Sequence, residues 1–271
     1  MRIAGILSYY QESPHWLSTA VAGMGRICDT LIALDGAYAL FPGARPRSHP
    51  KQAEAILQMA ETMDMECLIH RPKEIYWGNE VEKRNMSLKL AGTVLEPGRD
   101  WVLVFDADIH MLMCNPDTVR AELAETQHDV ATYTALDGID FLADAKLAEY
   151  ANGRPVDPEW TVRTKDIYRW DPTLRYGPAH WTVSRMRNGA REWLRGPANQ
   201  EPDAHDLNRA LVVYHRTADR SRVRKRAAET YYKVRQEVGA EWSANYEPPK
   251  MEVLGEIAQQ AVEELLAEEV V

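Results

Sequence analysis

In the first half of the chain the apolar residues fall into short runs, separated by longer amphipathic stretches. Residues 3–8 (Ile-Ala-Gly-Ile-Leu-Ser), 29–35 (Asp-Thr-Leu-Ile-Ala-Leu-Asp), 66–70 (Glu-Cys-Leu-Ile-His) and 101–105 (Trp-Val-Leu-Val-Phe) are such runs. They are too short for helices and rich in Val, Ile and Leu, so they are predicted as buried strands. Between them, 16–27, 51–63 and 80–91 have helical composition. Pro14 stands ahead of the first, where proline is tolerated. A Pro- and Arg-rich loop covers 41–50. Strand–helix alternation of this kind predicts an α/β fold with a parallel sheet flanked by helices. Ligands of such sheets gather outside the carboxyl ends of the strands. Ser8, Asp35 and Asp106 all fall at predicted carboxyl ends and are expected to line one edge.

The second half is less regular. Helices are predicted over 117–127 and 144–150 and a strand over 129–134. Two short strands are expected within 167–184, around Asp171-Pro172 and Gly177-Pro178. The apolar stretch 207–214 reads as a last strand or a strand with its lead-in helix, and 220–238 has helical composition. Val253, Leu254, Ile257, Ala261, Leu265 and Leu266 lie near helical spacing. They predict an amphipathic C-terminal helix with a Glu-rich face. An acidic polar face suits a docking or homodimer contact rather than a membrane surface. The expected organisation is one domain over 1–240, with halves 1–115 and 116–240, and a helical tail over 241–271.

Composition narrows the class. The chain has 271 residues, 45% of them hydrophobic, enough for one large domain with an appendage. No apolar run approaches the roughly 20 residues needed to span a bilayer. The N-terminal run turns polar too early for a secretory segment. Cys28, Cys67 and Cys114 are scattered and fit no metal spacing, which suits a reducing, cytoplasmic setting. A net charge of −9 argues against a general nucleic-acid binder. The charge is uneven, however: Arg216, Arg220, Arg222, Arg224, Lys225 and Arg226 crowd one segment, and the tail is acidic.

The chemistry concentrates where the fourth strand ends in Asp106-Ala107-Asp108. Two carboxylates at a sheet edge repel each other and lose solvation. A divalent cation relieves both costs. Hard oxygen ligands suit Mg²⁺ or Mn²⁺, whose shells are usually completed by water and substrate phosphates. Asp-X-Asp is common by chance, and a solvated turn is the plain alternative.

The order of motifs carries more than any one of them. A strand, a helix, a second strand ending in an acid, Gly78-Asn-Glu-Val-Glu-Lys-Arg-Asn85 opening a helix, and Val102-Leu-Val-Phe-Asp-Ala-Asp108 follow one another. Together they resemble the nucleotide-binding half of a GT-A glycosyltransferase and are most similar to family 2. Arg84-Asn85 resembles the Arg-Asn pair that opens the helix before the Asp-X-Asp strand. Tyr168 to His180 resembles the segment after the metal site. That segment often ends in His-Glu, whereas here it ends in His180-Trp181. Val212-Val-Tyr-His215 resembles the family's third metal-binding element.

The resemblance implies a GT-A, Rossmann-like fold with a mixed, mostly parallel sheet, and an enzyme that moves a sugar from a nucleoside-diphosphate sugar, UDP leading, to an acceptor hydroxyl with Mn²⁺ or Mg²⁺. Asp108 would hold the metal directly, Asp106 through water or by way of the ribose, and His215 through a neutral imidazole nitrogen. Ser8, Tyr10, Asp35, Arg84, Asn85, Asp106 and Ala107 would surround the donor. Asp35 would accept from the base or ribose, and Tyr10 would stack on the base. Arg220 and Arg222 would neutralise the pyrophosphate. Asp137 and His180 are the candidates for a general base if the reaction inverts, with Asp203, His205 and Asp206 as further options. Each has a bland counterpart: Asp35 as a turn residue before Gly36, Arg84 as a partner of Glu80 one turn earlier, His215 as a surface histidine. Acceptor contacts are expected from 167–193, with Trp170, Tyr176, His180, Trp181 and Trp193, and from the loop near Asp137. The acceptor reads as a small molecule, glycan or protein, with a hydroxylated base in modified DNA ranked below.

Two other classes compete. A nucleotidyltransferase acting on a sugar phosphate would share the sheet and metal, but calls for a Gly-rich loop after the first strand. Tyr9-Tyr-Gln-Glu-Ser13 has no glycine. A non-catalytic nucleotide- or carbohydrate-binding module would not need Asp106, Asp108 and His215 together. A dinucleotide dehydrogenase lacks its Gly-X-Gly-X-X-Gly fingerprint here.

Overall fold

The computed structural model describes residues 1–38, 46–72, 77–136, 161–177, 182–196 and 202–215. The expected helices over 144–150 and 220–238 and the tail over 241–271 lie outside these residues. The described residues form an α/β fold around one large, curled, mostly parallel sheet. Its first strands are β1 (Ile3–Ser8), β2 (Thr30–Leu34), β3 (Glu66–His70) and β4 (Trp101–Asp106). Between them run α1 (Pro14–Met24), α2 (Pro50–Thr62) and α3 (Glu80–Ala91). These elements match the apolar pattern because β1, β2 and β4 are buried on both faces and each helix start is marked locally, while β3 is the partly exposed edge strand. Proline occupies the first turn of α1 and α2. Asn79 caps α3, its side chain accepting from the Glu82 amide at 2.8 Å, with Glu80 and Glu82 in the positive first turn.

Alternate side chains of β4 show why the run reads as continuously apolar. Trp101, Leu103 and Phe105 enter one core with Leu17 and Met24 of α1 and Ile56 of α2. Val102 and Val104 enter the other with Val81 and Leu88 of α3. A parallel sheet covered on both faces needs apolar residues at both parities.

The rest of the chain is β5 (Ile109–Cys114), α4 (Pro116–Glu125), β6 (Val130–Leu136), β7 (Thr161–Arg169), β8 (Arg175–Tyr176), β9 (Val183–Arg187), β10 (Ala190–Arg195), β11 (His205–Asp206) and β12 (Leu211–His215). The large sheet has the order β3-β2-β1-β4-β7-β6-β12-β5, with β11 beside β6, while β8, β9 and β10 form a small separate sheet. Pairings of β1 with β2 and β4, of β2 with β3, and of β6 with β11 and β12 are parallel, whereas β7 and β5 run antiparallel to their neighbours.

Three elements depart from the apolar pattern. Strand β5 was not expected, because Ile109-His-Met-Leu-Met-Cys114 carries little β-branched character; its pairing with β12 makes it a strand. Strand β7 begins earlier than the pattern indicates. The hairpin of β9 and β10 turns at Asn188-Gly189, both at positive φ (53° and 78°). Asn-Gly is the strongest short hairpin signal, and it was present to be read.

The curl of the sheet follows from arithmetic. Only Ala107 and Asp108 separate the end of β4 from the start of β5. Three residue steps reach roughly 11 Å at full stretch. Yet β7, β6 and β12 stand between β4 and β5, and four inter-strand steps in a flat sheet span roughly 19 Å. The sheet therefore bends back on itself, and β5 packs under α1, with Met111 against Gly23 and Trp16 edge-on to His110 at 6.0 Å between ring centres. Among the described residues no helix is long and apolar enough to cross a membrane. Cys28, Cys67 and Cys114 are free thiols.

Candidate functional site

The order β3-β2-β1-β4 reverses direction between β1 and β4, and such a switch point opens a crevice at the carboxyl ends of the strands. The registers fix what lines it. Ser8 pairs with Leu34 of β2 on one side and with Asp106 of β4 on the other. Ser8, Asp35 and Asp106 thus share one edge, and Tyr10, half-buried, follows Ser8.

The curl adds the second half of the site. Strands β12 and β5 pair so that His215 stands opposite Ile109, the residue after Asp108. His215 Nε2 lies 3.1 Å from Asp108 Oδ2, and the Asp108 side chain is only 3% exposed. Cis ligands of an octahedral cation, with bonds of roughly 2.1 Å, lie roughly 3.0 Å apart. The two side chains are at hydrogen-bond distance, a spacing that two cis ligands of one Mg²⁺ or Mn²⁺ would also have. Asp106 is turned elsewhere: Arg84 Nη2 donates to both of its carboxylate oxygens at 3.1 Å. Among the described residues no group of three His, Cys, Asp or Glu side chains converges on one point.

Arg84 belongs to α3 and lies over the Tyr176 ring, its Cζ 5.5 Å from the centroid. Burial is the largest single influence and opposes its charge, but Asp106, Tyr176, Tyr38 and Glu80 together outweigh burial and hold the guanidinium protonated. Asn85 makes a reciprocal clip with the backbone of Tyr176. Its Nδ2 donates to the carbonyl at 3.0 Å and its Oδ1 accepts from the amide at 2.8 Å. Both ends of the Asn85 amide are thus spent on tying β8 to α3, which fixes the ring on which Arg84 rests.

Asp35 is fully buried. Both of its oxygens accept from the Ser48 amide at 3.1 Å, and Arg71 Nε donates to Oδ2 at 3.0 Å. Arg71 also donates to the Ser48 carbonyl at 3.0 Å. Trp77 Nε1 donates to the Asp35 carbonyl at 2.8 Å. Asp35 therefore anchors the loop that returns to α2 and stands as a buried support of the crevice wall. Gly36 beside it has φ +114°, and a Cβ there would sit 2.9 Å from Trp77 Nε1.

Lys83 was not anticipated. It is buried (2% exposed), and its Nζ donates to the carbonyls of Tyr9 at 2.9 Å and Gly36 at 2.8 Å. The ammonium joins the loop after β1 to the loop after β2. Desolvation brings it down from the usual lysine range to about 7, against the pull of Asp35 and Asp106. The sequence shows only the spacing, Asn79, Lys83 and Ser87 at every fourth residue; their burial shows that α3 turns this polar stripe inward. Asp166 of β7 also escaped the sequence reading. It is ion-paired with Arg195 of β10. Burial raises its carboxyl despite the opposing pull of Arg195 and Arg84.

The other expected residues divide in three. Asp137, His180, Arg220 and Arg222, with Trp181 and the basic run from Arg216 to Arg226, lie outside the described residues. His205 and Asp206 pair with Ala131 and Thr132 near the start of β6, away from the carboxyl edge, and His205 faces Glu122 of α4 at 2.9 Å. That position does not serve a base at the crevice, and Asp203 beside them is exposed. Of the expected acceptor aromatics, Trp170 and Tyr176 are core residues, 4% exposed each. Trp193 is partly exposed, with Arg191 over its ring at 5.5 Å.

No protein-family model matches the chain, and no curated protein matches it significantly.

Proposed function

We propose that the protein is a metal-dependent glycosyltransferase of GT-A type, which moves a sugar from a nucleoside-diphosphate sugar, UDP leading, to an acceptor hydroxyl. The observation that carries the reading is the meeting of Asp108 and His215, 3.1 Å apart, at the strand edge where Ser8 and Asp106 pair at the switch point. A structural ion pair needs no such place, whereas a nucleotide site does.

In this reading the bond between the anomeric carbon and the β-phosphate oxygen breaks with its electrons leaving on the diphosphate. The acceptor oxygen forms the new bond and gives its proton to a general base, Asp137 or His180, if the reaction inverts, or to the leaving diphosphate if it retains. Bound Mn²⁺ or Mg²⁺ supplies positive charge where the leaving diphosphate gains negative charge. Asp108 and His215 would hold the ion, and Asp106 would meet it through water or meet the ribose. Arg84, already charged and braced on Tyr176, binds a phosphate oxygen. Lys83 holds the loops carrying Tyr10 and Gly36 at a set distance, so that the base enters a formed crevice. The acceptor is a small molecule, glycan or protein, met by residues of 167–193, with modified DNA ranked below.

The test is release of nucleoside diphosphate from a panel of nucleotide sugars with Mn²⁺, Mg²⁺ or EDTA, alongside thermal shifts with UDP. Metal-dependent release and a UDP-plus-Mn²⁺ shift are expected. Undiminished turnover in excess EDTA removes the metal. The absence of both release and stabilisation with every nucleotide in the panel overturns the glycosyltransferase reading.

A further inference from the structure

Asp106 already has a cation. Arg84 Nη2 contacts both of its oxygens at 3.1 Å, and the Arg84 side chain is only 15% exposed while that of Asp106 is 42% exposed. The carboxylate can thus be reached from the crevice, but its counter-charge comes from within. The second acid of the motif, Asp108, faces His215 instead. The two carboxylates that one divalent cation would share are therefore held by two different partners.

Displacing Arg84 from Asp106 has a cost. The guanidinium cannot shed its proton, and a largely buried cation without an anion is unfavourable. Tyr176 offers its ring face, at 5.5 Å, and a neutral hydroxyl, neither of which carries a negative charge. The nearby carboxylate of Asp166 is occupied by Arg195. Glu80, one turn earlier on α3, supports the charge less than Asp106 does, so what replaces Asp106 in full is a new anion in the crevice, and a diphosphate bound at the strand edge is one.

We propose that Arg84 is a resident counter-ion that competes with the divalent cation for Asp106 and is handed to the diphosphate when the cation binds, so that cation and nucleotide bind cooperatively. The inference rests on the glycosyltransferase reading and adds regulation of the same site. Cation binding alone strands Arg84, and nucleotide binding alone finds Arg84 engaged. Together they exchange partners: Asp106 turns to the cation and Arg84 to the phosphate. By linkage, each ligand strengthens the other by the same factor.

Calorimetric titration of MnCl₂ into the protein, without and with saturating UDP, tests it on wild type, Arg84→Met and Arg84→Lys. Wild type is expected to bind Mn²⁺ at least about fivefold more tightly with UDP present. Arg84→Met is expected to bind Mn²⁺ alone more tightly than wild type does, and to lose the UDP effect. Arg84→Lys keeps the charge but not the planar fork, so Mn²⁺ alone should bind more tightly while part of the UDP effect persists; it also decides the matter if Arg84→Met does not fold. Equal Mn²⁺ affinity of wild type and folded variants without UDP overturns the competition while leaving the glycosyltransferase reading intact. Failure of wild type to bind Mn²⁺ with or without UDP overturns both.

Discussion

Asp108 Oδ2 and His215 Nε2 stand 3.1 Å apart although 107 positions separate them in the chain. The contact exists because β12 pairs antiparallel with β5, whose first residue follows Asp108. A short turn, Ala107-Asp108, and the curl of a whole sheet together make one potential ligand pair.

Asp108→Asn keeps the side-chain volume and removes the ligand charge. It is expected to leave the fold intact and to weaken Mn²⁺ binding by more than the roughly 10–100-fold that loss of an outer partner costs. His215→Gln should act in the same direction. The check is Mn²⁺ titration beside a circular-dichroism melt. Unchanged Mn²⁺ affinity in the folded Asp108→Asn protein would remove this pair from the metal site.

Asp35→Asn is expected to act on stability before it acts on any ligand. The amide nitrogen it introduces faces either the Ser48 amide or Arg71, both donors, where the carboxylate accepted from each. The loss should be about 2–4 kcal/mol, read as a shift in the urea midpoint. An unshifted midpoint would mean that Asp35 does not anchor the loop.

Gly36→Ala tests the neighbouring position independently. At φ +114°, with Trp77 Nε1 2.9 Å and the Pro46 carbonyl 3.0 Å from the new Cβ, the substitution is strained and crowded. A loss of about 1–3 kcal/mol is expected in the same denaturant assay. Stability equal to wild type would show that the turn relaxes freely.

Lys83 makes stability depend on pH in a defined direction. Its proton is held less tightly in the folded chain, at about 7, than the ordinary lysine value of 10.5. Between these values the unfolded chain binds more protons, so stability rises with pH, and below about 7 this contribution is flat. The slope approaches about 1.4 kcal/mol per pH unit at most. Comparing urea midpoints of wild type and Lys83→Met at pH 7 and pH 9 isolates it, since the other titrating groups are common to both. Wild type should gain on the variant as pH rises, and parallel pH profiles would mean that Lys83 stays charged in the fold.

Much of the fold was legible because local rules agree with tertiary need. Strands buried on both faces, such as β4, must be apolar along their buried run, here 101–105, and helices such as Glu80–Ala91 announce themselves by their caps. The same strand ends placed Ser8, Asp35 and Asp106 on one edge before any coordinates, since parallel strands begin and end in step. Which partner each side chain takes could not be read this way. Asn79, Lys83 and Ser87 look like surface positions of a polar helix until α3 is laid against the loops after β1 and β2. Strand β5 has no apolar alternation of its own and exists through its pairing with β12. The sequence determined which residues stand at the strand ends, because burial and capping act over a few neighbours. The tertiary structure alone decided that Asp106 meets Arg84 and that Asp35 is walled in, because α3 and the segments after β2 and β3 pack over the strand ends, and that Asp108 meets His215, because that pairing depends on the curl of the sheet, a property of all its strands at once.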